Sequence, residues 1–212
     1  MIPNQESKIS RFKLKEDMEK VREKVLGLGS LWNQRLPDRP FFTLGPSAYM
    51  DIAIKDKTDY NNNLIVTNNV LAHCFGSLYR EVSAVLEKEL GKPNYYDANY
   101  ALPGFHVFFA HPAFVTSGGL WHMDMGHVQL ELPGINPISF TVTVRLPKDG
   151  GGLQYKKDDK EKYLPYEVGG MIMHSGCTMH KIAPLKAFHE DDERITMQGH
   201  GVDIDGEYLL FW

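Results

Sequence analysis

The apolar positions of the first hundred residues recur at helical spacing in two stretches, and beyond them the spacing shortens to that of strands. Residues 11–28 set Phe12, Leu14, Met18, Val21, Val25 and Leu28 among lysines and glutamates. Residues 69–90 repeat the pattern with Val70, Leu71, Phe75, Leu78, Val82, Val85, Leu86 and Leu90, and Gly91 follows as a stop signal. The stretch 33–69 between these helices is irregular and rich in Pro, Asp and Asn, with the triple Asn at 61–63 reading as a turn. Within it the apolar-aromatic piece PFFTLGPSAYMDIAI (40–54) can supply a strand.

After residue 100, β-branched and aromatic runs alternate with Gly and Pro. They fall at 104–110, 120–131, 138–146, 152–156, 169–174, 178–183, 193–200 and 207–212. Run 138–146 alternates most clearly, with Phe140, Val142, Val144 and Leu146 on one face and Thr141, Thr143 and Arg145 on the other. The prolines of this half stand between runs, as ladder hydrogen bonding demands. The lysine–aspartate run KKDDKEK at 156–162, with both signs interleaved, reads as a solvated loop. Short strands behind a helical half predict a mainly β chain with N-terminal helices, a jelly roll with helices packed on one sheet. The expected organisation is a single domain over 1–212, with helical support over 1–99 and a β core over 100–212. The polar-aromatic segment 32–51 suits either a substrate lid or a plain covering of the sheet.

Composition narrows the classes. Apolar residues make up 42% and charged residues 24% of 212, which is ordinary globular usage. The balance of 23 basic against 27 acidic residues gives no support to a nucleic-acid-coating surface. Cys74 and Cys177 are too few for a disulfide framework, so a reducing, cytoplasmic setting is expected. The N-terminal stretch is charged where a signal peptide needs an apolar run. No apolar run is long enough to span a membrane.

Nine histidines invite a metal reading. Two His-x-Asp triplets occur, and one of them, His189–Asp191, lies in the acidic stretch FHEDDE and reads as surface loop. The other, His122–Asp124, sits in LWHMDMGHV between apolar residues. On an extended strand, residues two apart share a face, so this pair can offer imidazole and carboxylate to one ion. His180, in TMHKIAP, supplies a third ligand. A face of two His and one carboxylate leaves the opposite side of an octahedron open and belongs to non-haem Fe(II) oxygenases. Arg194 lies 14 residues after His180 and can clamp a carboxylate bidentately, with the Thr196 hydroxyl on the same strand face.

The order His122-x-Asp124, His180, Arg194-x-Thr196 resembles the Fe(II)- and 2-oxoglutarate-dependent dioxygenase superfamily. GGGLQYK (150–156) is similar to its Gly-rich turn after a core strand, and YEVGGMIMHSGCTMHKIAP to its stretch around the second histidine. The resemblance covers roughly residues 100–200 and implies a double-stranded β-helix core. It also implies Fe(II) at His122, Asp124 and His180, 2-oxoglutarate held at its far carboxylate by Arg194 with Thr196, and O2 as the oxidant. Succinate and CO2 would be released as a substrate C–H is hydroxylated. Halogenating relatives carry Gly or Ala where Asp124 stands, so hydroxylation is the implied outcome. His106 falls where the family places a co-substrate contact.

Gln198 and His200 share the strand face of Arg194 and are candidate substrate contacts, while Thr141 and Thr143 can line the mouth of the core. Trp121 should alternate into the opposite layer as core, and His174 reads as structural. With no nucleic-acid or peptide-binding appendage, the expected substrate is a small polar molecule, amino-acid-like by a faint similarity of ERITMQGHG (193–201) to free-standing amino-acid oxygenases. Two other readings stay open: a cupin-like metal enzyme that does not use 2-oxoglutarate, and a non-enzymatic jelly-roll binding module. Oligomeric state is not legible in the sequence.

Overall fold

The computed structural model describes residues 8–52, 57–116 and 118–212; the start of the charged N-terminal stretch and the last two residues of the 40–54 piece lie outside them. Among the described residues two sheets face each other. The strands are β1 (Ser10–Lys13), β2 (Trp32–Leu36), β3 (Arg39–Leu44), β4 (Asn94–Tyr96), β5 (Gly104–Phe109), β6 (Ile135–Arg145), β7 (Leu153–Lys157), β8 (Lys160–Leu164), β9 (Gly170–Ser175), β10 (His180–Ile182), β11 (Glu193–Ile204) and β12 (Glu207–Phe211). The larger sheet runs β1-β9-β6-β11-β5-β3-β2, and the smaller runs β10-β7-β8. The long β11 pairs with β5 through its first half and with β12 through its second, while β6 covers its other edge. β12 also pairs in parallel with β4, the one parallel ladder among the described strands. This is the mainly β, double-stranded β-helix architecture expected from the sequence.

Helix α1 (Met18–Gly27) and the long α2 (Lys57–Leu90, kinked at Phe75) pack on the outer face of the large sheet. Period-two alternation decides which residues meet them: Phe105, Val107, Phe140, Val142, Ile195 and Met197 join Val21, Val25, Leu71, Leu78, Val82 and Leu86 in one buried cluster. The opposite face of the same strands carries buried polar groups, among them His106, Thr141, Arg194, Thr196 and His200. A sheet with one apolar and one polar buried face needs a reason for the second. Here it faces a cavity of about 800 Å³ between the two sheets. Trp212, fully buried, closes one side of the cluster around Tyr60 and Ala101. Its indole approaches β5 where only glycine fits, since a Cβ on Gly104 would stand 2.0 Å from the ring.

The fold corrects several sequence-based expectations. The 11–28 helix is shorter: Ser10–Lys13 pairs with β9, and α1 starts only after Asp17, whose carboxylate accepts from the Glu19 and Lys20 N–H groups. The triple Asn at 61–63 is helical, inside α2, because the packed residues around it outweigh asparagine's turn preference. Run 156–162 is not a loop but the tip of the β7–β8 hairpin. Asp158 and Asp159 both take positive φ, 52° and 57°, as a two-residue primed turn requires. Run 120–131 is not a strand: it makes one isolated bridge at His122 and then a helical turn, α4 (Gly126–Gln129), following an earlier one, α3 (Ala113–Thr116). Among the described residues no helix is long and apolar enough to cross a membrane.

Candidate active site

His122, Asp124 and His180 converge at one end of the cavity. The segment 118–124 runs antiparallel to β10 with an incomplete ladder: Gly119 N–H donates to the Ile182 carbonyl, His122 and His180 exchange backbone hydrogen bonds, and Asp124 N–H donates to the Gly176 carbonyl. Too few pairs form to make a strand, but enough to fix which way His122 and Asp124 point. Both imidazoles are oriented identically. The His122 Nδ1–H donates to the Leu120 carbonyl at 2.7 Å and the His180 Nδ1–H to the Thr178 carbonyl at 2.8 Å. Each ring therefore presents a bare Nε2 lone pair, the form a metal ligand needs. The Asp124 carboxylate meets them at 3.6 Å (His122 Nε2) and 3.4 Å (His180 Nε2). One ligand atom from each residue lies within 4.8 Å of the others, a spacing that one ion can bridge.

Asp124 is almost fully inside, and its Oδ2 is buried without a hydrogen-bond partner. Burial works to raise its carboxyl, yet His200, His180, His174 and His122 together outweigh it and hold it well below the usual carboxylate range. Burial pushes His180 and His200 down, and with help from His180 it brings His174 to about 4. The result is an anionic carboxylate ringed by imidazoles, with burial opposing the protonation of His174, His180 and His200. That is an environment with negative charge to spare for a cation.

Arg194 lines the same cavity and is buried, with its Nε and Nη1 lacking any hydrogen-bond partner. Its guanidinium lies over Phe108 at 5.3 Å and Tyr166 at 5.5 Å. The Thr196 hydroxyl is buried and unpartnered, next along β11 on the same face as Arg194 but outside the cavity lining. A buried guanidinium with idle donors is costly unless an anion completes it. His106 stands opposite Thr196 in the β5–β11 register; its Nε2 is hydrogen-bonded to the Tyr49 hydroxyl and its Nδ1 has no partner. Burial first, and then the Arg194 charge, bring His106 down to about 3, so the ring is neutral.

The remaining sequence candidates are scattered differently. Gln198 and His200 both line the cavity; His200 Nδ1 lies 3.1 Å from Ser139 Oγ and 4.0 Å from Asp124 Oδ2. Thr141 lines the cavity and Thr143 is buried outside its lining. Trp121 is not core: it lies half-buried between Lys156 and Lys181, at 5.2 and 4.8 Å from its ring. The segment that carries it never enters a second layer, so strand alternation does not apply. His189 pairs with exposed Asp149, at 3.4 Å, away from the cavity. His174 and Tyr166 are among the cavity residues that the sequence does not place at the site. His174 lies 4.5 Å from the His180 ring, and the alternation of Ile172 and His174 against Met171 and Met173 was the signal for it. Tyr166, in the turn before β9, has no period to betray it.

No family model and no curated protein matches this sequence. Solved structures do match its fold. An N-substituted L-amino acid dioxygenase from Burkholderia ambifaria AMMD superposes with a TM-score of 0.59 at 9% identity, covering 96% of this chain and 86% of that one. An oxidoreductase of the 2OG-Fe(II) oxygenase family from Burkholderia pseudomallei gives 0.55 at 12% identity, over 96% and 84%. The non-haem α-ketoglutarate-dependent epimerase SnoN from nogalamycin biosynthesis gives 0.52 at 10%, over 93% and 82%. At such identities the likeness establishes the common fold.

Proposed function

We propose that the chain is an Fe(II)- and 2-oxoglutarate-dependent oxygenase that hydroxylates an unactivated C–H of a small molecule, releasing succinate and CO2. One observation carries the proposal: a three-ligand face of two bare Nε2 atoms and a buried carboxylate shares a cavity with a buried guanidinium whose Nε and Nη1 have no hydrogen-bond partner. The donor set suits the ion, because both histidines have committed Nδ1 to carbonyls and the anionic carboxylate has a free buried oxygen. Bound there, Fe(II) supplies dioxygen activation coupled to oxidation of a 2-keto acid.

The chain's own residues do the rest by holding and excluding. His122, Asp124 and His180 hold the ion. Arg194 and Thr196 offer N–H and O–H donors to the far carboxylate of the co-substrate, and His106 adds a neutral ring beside them. Gln198 and His200 line the remaining wall as substrate contacts. An amino-acid-like substrate is the finer reading, supported by the amino acid dioxygenase among the fold neighbours. A cytoplasmic location fits Cys74 and Cys177, both of which are free thiols.

The test is an anaerobic titration of Fe(II) and 2-oxoglutarate into metal-free protein, followed by the weak visible charge-transfer band of a chelated keto acid. The band is expected in the wild type, lost in Asp124→Ala and weakened in Arg194→Ala. Iron binding without the band favours a cupin-like enzyme. No metal binding leaves a jelly-roll binding module.

A further inference from the structure

The cavity wall built by β3 and β5 is aromatic. Their register sets Phe41 opposite Phe108, and Phe108 in turn stands opposite Arg194 on β11. The Phe41 and Phe108 rings stack with centroids 4.2 Å apart and planes 5° from parallel, and Phe114 of α3 meets Phe108 edge-on at 5.4 Å. Exposed Leu120 and Met123 extend the lining toward His122 and Asp124. This ledge offers a flat apolar body a large contact area and offers a hydroxyl no hydrogen-bond partner.

Arg39 stands two residues before Phe41, on the same strand face, and lines the same cavity. Its Nε donates to Asp38 at 3.3 Å, and that carboxylate is 67% exposed. No other partner of Arg39 occurs among the described residues, so both its terminal amino groups keep idle donors. The cavity thus carries two guanidiniums separated by aromatic rings. Arg194 is enclosed; Arg39 is at the rim.

We propose, resting on the oxygenase reading above, that the substrate is an amphipathic acid: a ring-bearing apolar body on the Phe41–Phe108 ledge with its carboxylate at Arg39. This narrows the sequence-based expectation of a small polar molecule, since a compact polar solute would lose water on the ledge and gain no bonds there. It also assigns Arg39 as the residue that selects for the acid and sets which end of the body lies toward His122 and Asp124.

Isothermal titration calorimetry on the metal-free full chain, with 2-oxoglutarate present, tests this using 3-phenylpropionate, its amide and acetate. The acid should bind about tenfold or more tighter than both the amide and acetate, the scale of one charge-assisted hydrogen bond or one ring burial. Arg39→Gln, a rim change that leaves the core alone, should erase the preference for acid over amide while amide binding persists. Arg194→Gln should keep that preference. Equal binding of acid and amide, acetate binding as well as phenylpropionate, or a preference lost with Arg194 and kept without Arg39 each overturns the proposal. The visible keto-acid band, recorded on the same proteins, separates the two failures. A band without the acid preference sinks the substrate class alone, and an acid preference without the band sinks the oxygenase reading alone.

Discussion

The backbones of His122 and His180 bond to each other twice, N–H to carbonyl in each direction at 3.0 and 2.9 Å, and this sets their rings 4.4 Å apart. The metal face is thereby built on the main chain rather than on its side chains. His122→Ala removes an Nε2 from a side chain that is 46% exposed and leaves the backbone pair in place. The unfolding free energy of metal-free protein should stay within about 0.5 kcal/mol of wild type. Fe(II) affinity should fall by more than about 100-fold, beyond the loss typical of an outer partner. Equilibrium dialysis checks it, and undiminished Fe(II) binding would remove His122 from the ligand set.

Arg194 presents the opposite balance. Its guanidinium is buried with idle donors, so in the absence of an anion it costs stability. Arg194→Met keeps the volume and discards the charge. The metal-free variant should be more stable than wild type by about 1–2 kcal/mol in urea unfolding. Addition of 2-oxoglutarate at about 100 times its Kd should stabilise wild type by about 2.7 kcal/mol and leave the variant unmoved. A variant that is less stable when metal-free and still responds to 2-oxoglutarate would sink the assignment of this guanidinium to the co-substrate.

The β half was legible because its strands alternate. Ile195 and Met197 go to the helices while Arg194 and His200 go to the cavity, and a period of two states both facts at once. The His122-x-Asp124 spacing was legible for the same reason, although the segment is only one bridge long. What stayed hidden depends on partners far along the chain. Nothing local tells that Ser10–Lys13 leaves the helical pattern to pair with β9, or that Tyr49 on an irregular turn reaches His106. The hairpin at 157–160 hid for a different reason: two aspartates at positive φ do the work usually done by Asn-Gly.

His106 ties stability to pH in the metal-free protein. Burial, then Arg194, lower it to about 3 in the folded chain, against about 6.5 in the unfolded one. The unfolded state therefore binds the extra proton first as pH falls. The contribution of the neutral ring is complete above about pH 6.5 and is lost progressively as pH drops toward 3. His106→Gln keeps a side chain that can bond the Tyr49 hydroxyl but cannot titrate. Between pH 6.5 and 4 wild type should lose on the order of 2 kcal/mol more stability than the variant, with no divergence above pH 7. His174 titrates in both proteins and cancels in the difference. Parallel stability curves across that window would show that the ring is not held neutral.

Arg35 and Asp51 form a buried bidentate pair, at 2.5 and 2.9 Å, with side chains only 7% and 9% exposed. The Arg35 Nε–H also donates to Thr43 Oγ1 at 2.7 Å, and Asp51 accepts the Ser47 N–H at 2.7 Å. Asp51 belongs to the π-helical turn Ala48–Ile52, which carries Tyr49 onto His106. The pair thus fastens the irregular turn to β2 and β3 and, through it, one wall of the cavity. Arg35→Ala strands a buried carboxylate and should cost about 3–5 kcal/mol, far more than an exposed pair. Replacing both partners with apolar residues of similar size, Arg35→Met with Asp51→Leu, should recover most of that loss, because it removes the two charges together. The recovered double variant should still bind 2-oxoglutarate more weakly than wild type, since the Ser47 bond that sets the Tyr49 turn is gone. Denaturant midpoints for the four proteins of this cycle check the energetics, and 2-oxoglutarate titration checks the link to the site. A single-variant cost below about 1 kcal/mol would show that the turn is held by its packing rather than by the pair.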